Sequence, residues 1–187
     1  MITVYIYLLD SLADWEIGSV TAEVNSRSFF RPDAPHLIVK TVAVSKEPVK
    51  TTGGLKIIPD CTIEGIELNE KTVLILSGAD TWSESQNAQI IQKASELLSK
   101  GGSVCAICGA TVALANAGIL NDRPHTSNGS GFLEMFCPGY KGQKFYIDQP
   151  AVTDGNLITG STTGSLMWAK LIKVQKTIKQ DSANLQK

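Results

Sequence analysis

The stretch Ser103-Val104-Cys105-Ala106-Ile107-Cys108-Gly109-Ala110-Thr111 decides the fold. Its first five residues are small or apolar throughout, as in a parallel strand covered on both faces. Val112, Ala113, Leu114 and Ala115 then carry the chain on as a helix, which Gly118 ends. Strand passes into helix almost without a loop, and Cys108 stands on the joint. Ligands of open parallel sheets bind beyond the carboxyl ends of the strands, so that joint faces the crevice.

The same alternation repeats outward in both directions. Residues 2–9 are a nearly continuous apolar, β-branched and aromatic run, expected as a central strand. A helix follows, with Ile17, Val20, Thr21 and Val24 on one face and Asp14 as its expected cap. Residues 37–44 read as a second strand, and Gly53-Gly54 as the two-residue turn of a hairpin between Val49-Lys50-Thr51-Thr52 and Leu55-Lys56-Ile57-Ile58. Thr72-Val73-Leu74-Ile75-Leu76 is a further buried strand running into the small-residue loop Ser77-Gly78-Ala79-Asp80. Ile90, Ala94, Leu97 and Leu98 stripe a helix over residues 87–100.

Downstream, residues 121–150 are broken up by proline and glycine, with a helical turn or two expected from Phe132 to Phe136. Asp154-Gly155-Asn156 signals a hairpin, and Met167, Leu171, Val174 and Ile178 space out a last helix before a polar, fraying tail over residues 179–187. Strands alternating with helices predict a flavodoxin-like α/β fold: an open, mostly parallel sheet with helices on both faces, in one domain spanning residues 1–187.

Composition narrows the function. Lys and Arg total 17 against 18 Asp and Glu, a net charge of −1, so no broad positive field exists to hold nucleic acid or an anionic membrane. No apolar run reaches the roughly 18 residues of a membrane span, and the start lacks a basic signal-peptide region. Four cysteines (Cys61, Cys105, Cys108, Cys137) without an export signal predict thiols in a reducing, cytoplasmic setting.

Of the four, only Cys108 falls at a helix start, where the helix dipole and unpaired amides favour thiolate. The arrangement is a cysteine version of a nucleophile elbow, and Gly109 and Ala110 are small enough to permit it. The competing reading is a small buried core residue. Cys105-Ala106-Ile107-Cys108 also spells C-x-x-C. Cys105 lies inside the strand, however, and no second pair of ligands completes a metal site, so neither a dithiol nor a metal is expected. Cys61 and Cys137 read as structural.

Ala106-Ile107-Cys108-Gly109-Ala110-Thr111, with Glu16 in Ala13-Asp14-Trp15-Glu16-Ile17, Leu76-Ser77-Gly78-Ala79 and Asp154-Gly155-Asn156-Leu157-Ile158-Thr159, resembles the ThiJ/PfpI family of the class I glutamine amidotransferase-like superfamily. The resemblance implies a nucleophilic Cys108 paired with a protonated Glu16, because a neighbouring thiolate disfavours a second negative charge. It implies an anion hole from backbone amides near Gly78, Ala79 and Gly109, with Ala79 standing where a second glycine is common. Trp15 and Trp82 are candidate walls of the site, with ordinary core packing as the alternative; Trp168 suits core or a dimer contact.

One departure bears on chemistry. Where family members carry a histidine after a Thr-Ser pair, Thr126-Ser127 is followed by Asn128, with His125 three residues earlier. Asparagine cannot shuttle a proton. Either His125 reaches the sulfur or the Cys–His dyad is absent, and the reading leans to absence. The late segment Ser161-Thr162-Thr163-Gly164-Ser165 supplies no histidine or glutamate for an amidotransferase triad. Glutamine hydrolysis and peptidase activity are therefore not expected.

Three classes remain. They are an enzyme acting on a small electrophile such as an aldehyde or α-oxoaldehyde, an oxidant sensor through Cys108, and a non-catalytic binding protein. No cofactor is expected, and family members are commonly homodimers.

Overall fold

The computed structural model describes residues 1–178 apart from Ser28, Phe29 and Arg31. The expected tail over residues 179–187 lies outside the described residues. The elements run β1 (Ile2–Tyr7), α1 (Asp14–Ser26), β2 (Leu37–Ala43), β3 (Val49–Lys50), β4 (Lys56–Ile57), β5 (Cys61–Thr62) and β6 (Thr72–Leu76). They continue with α2 (Ala88–Ser99), β7 (Ser103–Ile107), α3 (Gly109–Asn116), α4 (Phe132–Phe136), β8 (Ala151–Asp154), β9 (Leu157–Gly160) and α5 (Ser165–Ile178).

Seven strands form one sheet in the order β5-β2-β1-β6-β7-β9-β8, parallel except for β8 against β9. This is the expected flavodoxin-like architecture. Strands β1, β6 and β7 occupy its centre and are almost wholly buried, which is why they read as unbroken apolar runs rather than alternating ones. Even the polar ends of the central tyrosines are satisfied: Tyr7 Oη donates to Asn87 Oδ1 at 2.7 Å. Around the sheet, α1 packs on α5, and α2 and α3 pack against β7.

Several local expectations need correction. Asp14 is the first residue of α1, not its cap, and its carboxylate accepts the Gly53 N–H at 2.6 Å instead. It ties the small β3–β4 ribbon to the helix start. That ribbon pairs only Val49 with Ile57 and Lys50 with Lys56, so its loop runs over residues 51–55 rather than two glycines. Thr51 closes the loop, exchanging backbone and side-chain hydrogen bonds with Leu55. In α1 the buried stripe is Glu16, Val20 and Val24. In α5 it is Trp168, Ala169 and Ile172, while Met167 is exposed. Trp168 is therefore a core residue, against which Gly160 fits because a Cβ there would come within 2.9 Å of the indole.

Among the described residues no helix is long and apolar enough to cross a membrane.

Candidate active site at the carboxyl ends of the central strands

Three loops meet above the sheet: residues 8–13 after β1, 77–80 after β6, and Cys108 after β7. The first two are joined by the Ala13 N–H donating to the Gly78 carbonyl at 2.9 Å. Cys108 has φ 55° and ψ −126°, backbone angles a non-glycine residue adopts only when its surroundings impose them. Here they do. The Cys108 N–H donates to Gly160 O at 3.0 Å, and its carbonyl accepts from both Thr111 N (3.0 Å) and Thr111 Oγ1 (2.6 Å). The tight joint read from the sequence is thus a strained turn clamped from both sides, and it directs the sulfur into the crevice.

Cys108 is half-buried and Glu16 wholly so. Helix α1 brings the Glu16 carboxyl beside the sulfur, and the Gly78 N–H donates to Glu16 Oε2 at 2.6 Å. Gly78 is small of necessity: a Cβ there would lie 2.9 Å from Glu16 Oε2 and 3.0 Å from Cys108 Sγ. The Gly78 amide is consequently engaged by Glu16 and is not open to a developing oxyanion. That part of the expected anion hole is corrected; the Gly109 amide hydrogen-bonds the sulfur itself. Asn128 Nδ2 donates to Sγ at 3.2 Å. Its carboxamide is oriented by Thr162, whose N–H (2.9 Å) and hydroxyl (3.1 Å) both reach Asn128 Oδ1.

The expected helix-start lowering of the thiol is overturned: on balance the Cys108 thiol is raised above its ordinary value. Burial, the largest influence, pushes the Cys108 thiol up, and the charge of Glu16 adds to this, while hydrogen bonds from Thr162, Asn128 and Gly109 pull it down. Burial likewise pushes the Glu16 carboxyl up, against the Gly78 and Cys108 hydrogen bonds. A negative charge on either group disfavours one on the other, so the two titrations are coupled.

His125 is not part of this constellation. Its ring is fully buried, with Nδ1 2.7 Å from Arg123 O and Nε2 2.6 Å from Tyr140 Oη. A carbonyl can only accept, so Nδ1 carries the proton and Nε2 accepts from the tyrosine. Tyr140 and Tyr146 stack edge-on against the ring, and burial lowers its pKa. With both nitrogens committed elsewhere, His125 forms no dyad with Cys108. Its assignment as a catalytic candidate is withdrawn.

The cleft over the sulfur is lined by Ser11, Ala13, Trp15, Glu16, Thr52, Gly78, Ala79, Asp80, Trp82, Ser83, Cys108, Gly109, Val112, Phe132 and Phe136, and encloses about 1070 Å³ up to its open mouth. Both tryptophans expected as walls are present in different roles. Trp82 is nearly buried and anchored by Nε1 donating to Ser77 O at 2.8 Å, whereas Trp15 is 54% exposed at the rim. Sequence reasoning missed Thr162, Phe132 and Phe136. The phenylalanines were legible only as a helical turn, and nothing local marks Thr162 as a partner of residues 34 and 54 positions upstream. Cys105 is fully buried within β7, apart from the cleft that holds Cys108.

The sequence profile of the DJ-1/PfpI family matches residues 2–173. A Bacillus subtilis protein named as the uncharacterized protease YoaZ is 45% identical over 166 residues, covering 89% of this chain and 79% of its own. The crystal structure of a ThiJ/PfpI family protein from Bacillus anthracis superposes with a TM-score of 0.88 at 42% identity, covering 96% of this chain and 84% of that one. A DJ-1 superfamily protein from Agrobacterium tumefaciens, Atu0886, gives 0.78 at 27% identity over 100% and 96%. On the profile match over residues 2–173 and the 45% identity over 89% of the chain, this protein belongs to the DJ-1/PfpI family.

Proposed function

We propose that the protein is a cysteine-dependent enzyme acting on small α-oxoaldehydes, with Cys108 as nucleophile and Glu16 as proton carrier. The observation that carries this reading is the strained Cys108 backbone, which holds the sulfur between the Glu16 carboxyl and the Asn128 amide at the floor of an open cleft. In the proposed reaction Sγ adds to the aldehyde carbon. A C–S bond forms as the carbonyl π pair moves onto oxygen, which takes the proton held by the Cys108–Glu16 pair. Glu16, now a carboxylate, removes the hydrogen of the former aldehyde carbon as a proton and returns it to the adjacent ketone carbon, while the hydroxyl proton passes from the former aldehyde oxygen to the ketone oxygen, so that the first carbon regains its C=O as a thioester and the second becomes a carbinol. The resulting thioester is cleaved by water, releasing a 2-hydroxy acid whose proton recharges the pair. One carbon is oxidised and its neighbour reduced, so no external oxidant is needed.

The Asn128 carboxamide donates to sulfur without being able to take its proton. That favours addition chemistry over peptide hydrolysis, which requires a group that takes the nucleophile's proton as a base and gives it to the leaving amine as an acid. The protease named among the relatives is therefore not the activity proposed here. The test is lactate formation from methylglyoxal. Turnover abolished by Cys108→Ala is expected; turnover no faster than the Cys108→Ala protein rejects the enzyme reading.

A second reading rests on the same donors. Peroxide would oxidise the Cys108 sulfur to sulfenic and then sulfinic acid, whose oxygens would accept from Asn128 Nδ2 and the Glu16 carboxyl. Peptide mass analysis after peroxide treatment should find the oxygens on Cys108 first; equal oxidation of all four cysteines counts against it.

A further inference from the structure

The cleft above Cys108 combines two features that bear on what can enter it. Among the described residues lining it there is no lysine, arginine or histidine, and its ionisable partners for a ligand are the acids Glu16 and Asp80. Its lining is rich in aromatic rings: Trp82, Trp15 and the Phe132–Phe136 pair, with ring centroids 4.9 Å apart. Trp15 and Phe136 are each about half exposed, at 54% and 52%.

We infer that the site selects neutral α-oxoaldehydes bearing an apolar, preferably aromatic, group beside the dicarbonyl, and rejects anionic carbonyl compounds such as oxoacids and phosphorylated sugars. This rests on the proposed function and adds a substrate class to it. An anionic substrate would have to shed water in an aromatic cleft that offers no cation in exchange, beside Asp80 and a sulfur that bears negative charge during attack. A phenyl group, by contrast, would cover the exposed faces of Trp15 and Phe136 while its neighbouring carbonyl lies over Cys108. Val112, also in the lining, leaves the inner wall apolar as well.

The experiment compares alkylation of Cys108 by iodoacetamide, iodoacetate and N-benzyl iodoacetamide, with free cysteine as the reference thiol and peptide mass analysis to place the label. Each reaction is the same displacement, a C–S bond forming as iodide leaves with the C–I electron pair. Relative to free cysteine, the iodoacetamide-to-iodoacetate rate ratio should rise about tenfold, a modest charge penalty at close range. The benzyl-to-unsubstituted ratio should rise about fivefold, the scale of one added aromatic contact. In Trp15→Ala/Phe136→Ala the second ratio should return to the free-cysteine value; comparing two reagents within one variant keeps the reading independent of its stability.

Ratios equal to those of free cysteine, a faster iodoacetate reaction, or an aromatic preference that survives the double substitution would overturn the inference. Turnover is read in parallel with phenylglyoxal and methylglyoxal, and phenylglyoxal should have the higher kcat/KM. Altered alkylation ratios with no turnover of either aldehyde would reject the enzymatic reading alone. Turnover without the preference would reject the substrate class alone.

Discussion

Among the described residues only Ser11, Arg27 and Cys108 have positive φ without being glycine, and two of the three line the same cleft. Strain of this kind, worth on the order of 1–3 kcal/mol per residue, persists only where the surroundings fix it. Ser11 is held by its hydroxyl, which donates to Asp10 O and accepts from the Asp80 N–H at 2.8 Å. Cys108 is held by Gly160 and Thr111. At the sulfur, Glu16 and Asn128 act in opposite directions. The charge of Glu16 raises the thiol pKa and the Asn128 hydrogen bond lowers it. The pH profile of iodoacetamide alkylation at Cys108 should therefore shift to lower pH in Glu16→Gln and to higher pH in Asn128→Leu. Shifts of the same sign in both variants would contradict this assignment.

At the scale of elements, the site depends on how closely the ends of β6 and β7 and the first turn of α1 approach. Gly78 is the contact that sets that spacing. Gly78→Ala should force Glu16 and Cys108 apart and cost about 1–3 kcal/mol of stability, as overpacking does. Urea unfolding would measure the loss, and slower alkylation of Cys108 would accompany it; an unchanged midpoint and rate would show that the loop yields freely. The β7–α3 joint was readable in the sequence because a buried parallel strand and a helix differ in period, and the change of period falls at Cys108. Asp14 was misread because an acid at a helix start looks like a cap whether or not its partner is the helix. Its true partner, Gly53, is 39 residues away. The pairing of Glu16 with Cys108 came from the family resemblance, since a lone glutamate in a first turn is equally an exposed acid. Thr162 and Asn128 could not be joined on local grounds, because their contact depends on how β9 delivers the segment after it.

Across the whole molecule, residues 121–150 hold little regular structure beyond the short helix α4, yet they present Asn128 to the sulfur with a defined geometry. His125 supplies much of the order. Its backbone bonds Phe145 and Ile147, its ring joins Arg123 to Tyr140, and the adjacent Thr126 N–H donates to Thr159 Oγ1 on β9 at 2.8 Å. In the sequence His125 stands three residues before the place of the family's histidine and the reading leans against a dyad; burial between tyrosines makes it a structural post. Since burial lowers its pKa from the ordinary 6.5, the unfolded chain takes up a proton there before the folded protein does. The stability that the neutral ring confers is present above pH 6.5 and is lost as the pH falls from there towards the lowered value. His125→Gln should be less stable than wild type at pH 7.5, with the gap narrowing at pH 5.5 in denaturant titrations. A gap that widens in acid would mean the ring is charged in the folded protein.

The account stands on a sulfur that is reachable and held in place for attack where its neighbours are not, and competitive labelling of the native protein tests that directly. With limiting iodoacetamide near pH 8, followed by unfolding and a second, mass-shifted reagent, peptide analysis ranks all four thiols at once. Cys108 should take the first label ahead of the half-exposed Cys61, whose thiol burial also pushes up, with the buried Cys105 and Cys137 protected until unfolding. Labelling of Cys108 no sooner than that of Cys105 would contradict the assignment of Cys108 as the nucleophile.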